Sequence, residues 1–193
     1  MRKEPEPGEE VEYLENLGVC LGVCASRDPG GFKKMEGVEL ACRVLPGKQH
    51  IAMPGLKIIT SYVQSRETAE DAVEKGCLKS VGKIFMGRGK PRIVTGLKGK
   101  KMQREKRAWE RDVEGLAVEV FYLLTRHLEG GSEGEFRERL IAKFLESDSE
   151  RCERVVEVMI RNDERMRGEE VKYLRSEEAD EDEKLGVDVQ AKR

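Results

Sequence analysis

Residues 37–45, GVELACRVL, and residues 76–85, GCLKSVGKIF, decide the fold. In the first stretch Val38, Ala41, Val44 and Leu45 fall at i, i+3, i+6 and i+7, which puts them on one face of an α-helix. In the second, Leu78, Val81, Ile84 and Phe85 repeat that stripe forty positions later. Each copy begins beside a glycine, Gly37 and Gly76. A short helical unit that recurs at this period buries its apolar face by stacking on the next unit. Such a stack offers a long side surface to other macromolecules rather than a pocket for chemistry.

Outward from the echo, every periodic stretch is helical, and no alternating pattern of a strand competes. Val11 to Ala25 reads as a helix that is apolar nearly all round, so burial between neighbours is expected. Gly18 and Gly22 weaken it by about 1 kcal/mol each relative to Ala, and close packing of another helix is a reason to keep them. Asp28-Pro29-Gly30-Gly31 reads as a turn, followed by one helix from Lys33 to Leu45. Further helices are predicted over 51–63, with Pro54 tolerated only in the first turn, over 67–75, with Ser65 or Thr68 as N-cap, and over 77–86. A glycine-rich basic loop spans 87–101, and a long helix covers 102–128, its second half strongly amphipathic. Ser132-x-x-Glu135 and Ser147-x-x-Glu150 read as capping boxes opening two more helices. Residues 1–8 are expected to be a disordered leader. Residues 9–167 form the repeat domain, and 168–193 an acidic tail, disordered or loosely helical.

The chain has 193 residues, 38% charged and only 5% aromatic, with a formal net charge of −2. The charge is unevenly placed. Lys79 to Arg107 holds eleven Lys and Arg against one acid, and Glu177 to Glu183 holds six acids and no base. The acidic, proline-bearing start MRKEPEPGEE has no apolar signal core, and the longest apolar run, Leu17–Ala25, has nine residues, short of the ~20 a membrane helix needs. Five cysteines form no disulfide-framework spacing, which points to a reducing compartment, cytosol or nucleus.

No residue set reads as catalytic, and no cofactor or metal is expected. Cys20 and Cys24 stand at i, i+4, but a metal site needs more ligands, and only His50 is near in the early chain, so both read as small buried hydrophobes. His127 sits near a helix end, where a dipole partner or surface role fits better than a Cys-His pair. Gly87-x-Gly89-Lys90 lacks the spacing and preceding strand of a phosphate loop. The basic stretch is the strongest site outside the core, with Lys90, Arg92, Lys98, Lys100, Lys101, Arg104 and the nearby Trp109 as partner-binding candidates. An RNA or an acidic protein would suit it. Its lack of stacking aromatics disfavours specific single-strand recognition.

The segments REKRAWERDVEGLAVEVFYLLTRHLEG (104–130) and FRERLIAKFLESDSERCERVVEVM (136–159) resemble the C-terminal half of the beta-catenin-like protein 1 family. The likeness is carried by Leu140 to Phe144 and the Asp148-Ser149-Glu150 turn. MEGVELACRVL, GLKIITSYV, GCLKSVGKIFMGRGKPRI and EEVEYLENLGVCLGVCAS resemble its upstream helices, in consistent order over about residues 9–170. The resemblance implies a nuclear, armadillo-like protein of a pre-mRNA splicing complex that contains a Myb-domain factor and a U-box ubiquitin ligase. It also implies recognition of basic, nuclear-localisation-type segments, including that of activation-induced cytidine deaminase in animals. Family members are much longer, so this chain is expected to be a shortened or partial member. Basic-peptide grooves of armadillo type use a ladder of Trp and Asn, whereas this chain has one Trp, Trp109, and two Asn, Asn16 and Asn162.

The expectation is therefore an all-α, armadillo/HEAT-like α-solenoid of stacked helices. It acts without catalysis as a nuclear scaffold for spliceosomal proteins, with no membrane partner, and self-associates through exposed solenoid ends. The alternative is a nucleic-acid-binding helical module acting through 79–107.

Overall fold

The computed structural model describes residues 9–45, 49–88, 99–129 and 134–191, with side chains described over 11–45, 51–88, 99–129 and 134–173. The described residues form nine helices and no strand: α1 (Glu9–Arg27), α2 (Pro29–Lys34), α3 (Gly37–Val44), α4 (Gln49–Tyr62), α5 (Arg66–Glu74), α6 (Cys77–Phe85), α7 (Gly99–Leu128), α8 (Glu135–Leu145) and α9 (Glu150–Ala191). The chain divides into two compact units, residues 1–146 and 147–193, the second built on α9 alone.

The forty-residue echo is a structural repeat. Val38, Ala41 and Leu45 of the first copy are buried and Val44 half-buried; Leu78, Val81 and Phe85 are buried and Ile84 half-buried. The backbone keeps the same step. Met35 caps α2 by donating its N–H to Gly31 and Lys33 carbonyls, and Lys75 caps α5 by donating to Asp71 and Val73. The next residue in each copy is left-handed, Glu36 at φ 54° and Gly76 at φ 89°. The true partner of Gly76 is thus Glu36, not Gly37. Each unit is a triplet of a first helix (α2, α5), a short helix (α3, α6) and a longer third helix (α4, α7). The third helices break the forty-residue register because the connection after α6 is longer than the one after α3.

Consecutive layers lie side by side. α3 packs on α6, α4 packs on α7, and α1 packs on α4 more extensively than any other pair. α1 therefore takes the place of a third helix in the layer before. Gly18 and Gly22 allow that approach: a Cβ on Gly18 would lie 2.5 Å from Pro54 Cβ, and one on Gly22 3.2 Å from Ser61 Oγ. α7 buries Val113, Ala117, Val120, Phe121 and Leu124 against α4, α5 and α6, and α8 closes over α5 and α7. A line of rings joins them, Phe85 to Phe121 at 5.7 Å and Phe121 to Phe144 at 4.9 Å, both edge-on. Each such pair contributes about 0.5–1.5 kcal/mol beyond its buried area. Arg139 of α8 donates to the Val73 carbonyl at the end of α5 (3.4 Å).

Two buried polar contacts link the layers. Asp71 of α5, with its side chain 1% exposed, accepts from the Tyr62 hydroxyl of α4 (2.7 Å) and pairs with Lys33 of α2 (3.1 Å). The ring of Tyr62 lies against Phe32. Between α3 and α6 the thiols of Cys42 and Cys77 are hydrogen-bonded; that bond first, then complete burial, pushes the Cys77 thiol well above the usual range. Protonated and buried, it is inert.

Several local expectations are corrected. Asp28–Gly31 is not a bare turn: Pro29 opens α2, and the Asp28 side chain caps it from 2.9 Å to the Gly31 N–H. The helix expected over 33–45 is two, broken where Glu36 turns left-handed. α4 starts early enough that Pro54 lies inside it, beyond the first turn. Ser65 is the N-cap of α5, with Thr68 completing a capping box. Ser132 lies outside the described residues, and α8 opens at Glu135 with Gly134 as its N-cap; Glu150 is the first residue of α9, not a third-position partner, so the box expected at Ser147 does not form. Ser147, Asp148 and Ser149 before α9 all have φ between 55° and 65°. α9 is helical from Glu150 to Ala191. Among the described residues no helix is long and apolar enough to cross a membrane.

Candidate partner-binding face

The third helices α1, α4 and α7 lie side by side, and a groove of about 450 Å³ runs between them. Because Gly18 and Gly22 turn inward to α4, Val19 and Val23, one position on, turn outward and stand 54% and 55% exposed. α1 is therefore not buried all round, contrary to expectation. Val19, Val23 and Arg27 line the groove from α1, Lys57 and Thr60 from α4, and Leu116 from α7. Thr60 Oγ1 is buried and has no hydrogen-bond partner among the described atoms. The face thus combines apolar ribs, two cations and the hydroxyl residues Ser26, Thr60 and Ser61.

Cys20 and Cys24 also lie on the outward side of α1 and are exposed, not buried as expected. The packing of glycines against α4 leaves the opposite side of the helix to solvent. Among the described residues no group of three or more metal-type ligands occurs.

Of the residues singled out in the basic stretch, Lys90, Arg92 and Lys98 lie outside the described residues. Lys100, Lys101 and Arg104 are exposed on the first turns of α7, and Trp109 is half-buried two turns further on. The first turn of α7 carries no acid, so its cations add to the positive end of the helix rather than offsetting it. Trp109 stands seven residues before Leu116, on the same stripe of α7, and so connects the basic end of this helix to the groove. His127 is half-buried in the last turn of α7. Sequence reasoning missed Val19, Val23, Lys57 and Thr60. The available signal was the pair of valines each following a glycine at i, i+4.

Stacked layers and a groove along the third helices define a helical-repeat protein of the interaction-scaffold kind. The chain matches, over residues 1–192, the family described as catenin-beta-like, Arm-motif containing nuclear, and it belongs to that family. Its fold is accordingly an all-α, armadillo-like solenoid, and the family is of the non-catalytic scaffold kind. Beta-catenin-like protein 1 of Rattus norvegicus is 27% identical over 162 residues, which cover 81% of this chain and 26% of the relative. The proteins of the same name from Homo sapiens and Mus musculus are each 26% identical over the same shares. The chain thus spans about a quarter of the length of these curated relatives. No solved structure matches it.

Proposed function

We propose that this protein is a nuclear scaffold of a pre-mRNA splicing complex and holds a partner segment against the face formed by α1, α4 and α7. The observation that carries this reading is the groove itself, three equivalent helices in successive layers with exposed apolar side chains between them. Membership of a family described as nuclear supports the compartment, and the resemblance to beta-catenin-like protein 1 supports the complex. Val19, Val23 and Leu116 supply apolar contact. Arg27 and Lys57 favour a segment with acidic side chains, and Thr60 Oγ1 offers an unused hydrogen bond. This chemistry differs from a Trp and Asn ladder for basic peptides. Affinity purification from the source cell, read by mass spectrometry, is expected to recover spliceosomal proteins. Recovery of unrelated cytosolic proteins alone would remove the proposal.

A second reading rests on the exposed Lys100, Lys101 and Arg104 at the start of α7, which suit phosphates. If this end binds RNA, affinity falls steeply with salt, and the triple change Lys98, Lys100 and Lys101 to Ala abolishes it. An absence of RNA binding near 50 mM salt would eliminate that reading.

A further inference from the structure

One motif of the sequence is left without a role by the fold. Ser147-x-x-Glu150 has the spacing of a capping box, yet Glu150 itself opens α9, and the Ser147 side chain caps nothing. Ser147 is exposed, and its hydroxyl has no hydrogen-bond partner among the described residues. Acids crowd that hydroxyl along the chain: Glu146 stands before it, and Asp148, Glu150 and Glu153 follow. A hydroxyl with carboxylates at the first and third positions after it is a charge pattern that the basic substrate cleft of a protein kinase selects.

The structure decides among the matches to this pattern. In the whole sequence, Thr68, Ser132 and Ser147 are the hydroxyl residues with an acid three positions on. Thr68 is 7% exposed, and its hydroxyl donates to the Ser65 carbonyl (3.0 Å). Its acid, Asp71, is buried against Tyr62 and Lys33. Ser132 lies outside the described residues. Of the two described matches, only Ser147 offers its hydroxyl to solvent, with Asp148 and Glu153 exposed and Glu150 half-buried.

The backbone favours the same residue. An acceptor hydroxyl must reach the γ-phosphorus in line, which needs chain that is free of a helix. Residues 147–149 lie outside every helix, and their φ values are 55°, 55° and 65°. Left-handed backbone is unfavourable for residues that carry a Cβ. The turn is held by the Glu150 N–H, which donates to the Ser147 carbonyl at 3.1 Å. Opening it to extended backbone breaks that bond and relieves three left-handed residues.

We propose that Ser147 is the acceptor of an acid-directed serine/threonine protein kinase. The bond from the γ-phosphorus of ATP to the bridging oxygen breaks, and ADP leaves. The bond to Ser147 Oγ forms, and the hydroxyl proton passes to the catalytic carboxylate of the kinase. The product carries about −1.5 to −2 charges at neutral pH, just ahead of α9. The α1–α4–α7 groove takes no part, so this site and the scaffold reading are tested apart.

The test follows phosphate at Ser147 by fragment mass spectrometry. The full chain is treated with a purified acid-directed casein kinase and magnesium ATP, and a second sample is isolated from the source cell with phosphatases inhibited. Both are expected to carry phosphate on Ser147, and Thr68 is expected to stay unmodified. Asp148→Asn with Glu150→Gln, at a matched melting temperature, is expected to slow phosphorylation of Ser147 at least tenfold. Absence of phosphate from Ser147 in either sample, or an unchanged rate there in the double variant, would overturn the proposal.

Discussion

Asp71 shows how a buried charge is held between layers. A carboxylate removed from water costs several kcal/mol unless it is paired and hydrogen-bonded, and here Tyr62 and Lys33 supply both. Removing the hydroxyl leaves one oxygen unmatched, so Tyr62→Phe is expected to destabilise by about 1–3 kcal/mol, measured by urea unfolding. Burial first, then the bond to Asp71, holds the Tyr62 pKa above its usual value of 10.0. The bond to Asp71 raises Lys33 above 10.5. Both groups bind their protons more tightly folded than unfolded. Their contribution is therefore complete below about pH 10 and is lost as pH rises through the folded values. Melting temperature should stay level from neutral pH to that point and fall beyond it, with a shallower fall in Tyr62→Phe. At Glu36 the backbone is left-handed where the next layer has glycine. Glu36→Gly is expected to stabilise by about 0.5–1 kcal/mol, the side-chain penalty of that conformation less the added freedom of the unfolded chain. Equal or lower stability would mean that the left-handed position carries no such penalty.

At the scale of elements, the third helices differ in how they use glycine. Gly18 is in contact with Pro54, and Gly18→Leu should separate α1 from α4 and cost several kcal/mol through overpacking, about 1–3 or more. Gly115 of α7 has nothing within 4 Å of a Cβ placed on it, so Gly115→Ala should stabilise by about 1 kcal/mol through helix propensity alone. Thermal unfolding of the pair measures both signs. The stripes of α3, α6 and α7 were legible in the sequence because a one-sided helix writes its burial into its spacing, and most of their positions are buried, with Val44, Ile84 and Leu116 half-buried. The break at Glu36 was not legible, since a glutamate gives no sign of a positive φ that its neighbours impose. The outward side of α1 was misread for a related reason. A helix that packs through glycines buries backbone rather than side chains, so its valines and Cys20 and Cys24 are left for solvent. The expected cap at Ser147 rested on spacing alone, and α9 starts later, at Glu150.

For the molecule as a whole, the forty-residue step organises everything from the caps of α2 and α5 to the packing of α3 on α6. It also places the groove on the side where α1, α4 and α7 run together. The stacking was readable from two copies of one stripe. The groove was not, because it depends on which sides of three helices remain uncovered after packing, and among the described residues first singled out only Trp109 lies on a stripe leading to it. The side-by-side affinity purification of the intact chain and of Val23→Glu with Leu116→Glu, two groove positions outside the deep core, tests the central claim most directly. With melting temperatures matched, the intact chain should bring down spliceosomal proteins and the variant at least tenfold less of them. Equal recovery by both, or recovery of none by either, would contradict a scaffold that works through this face.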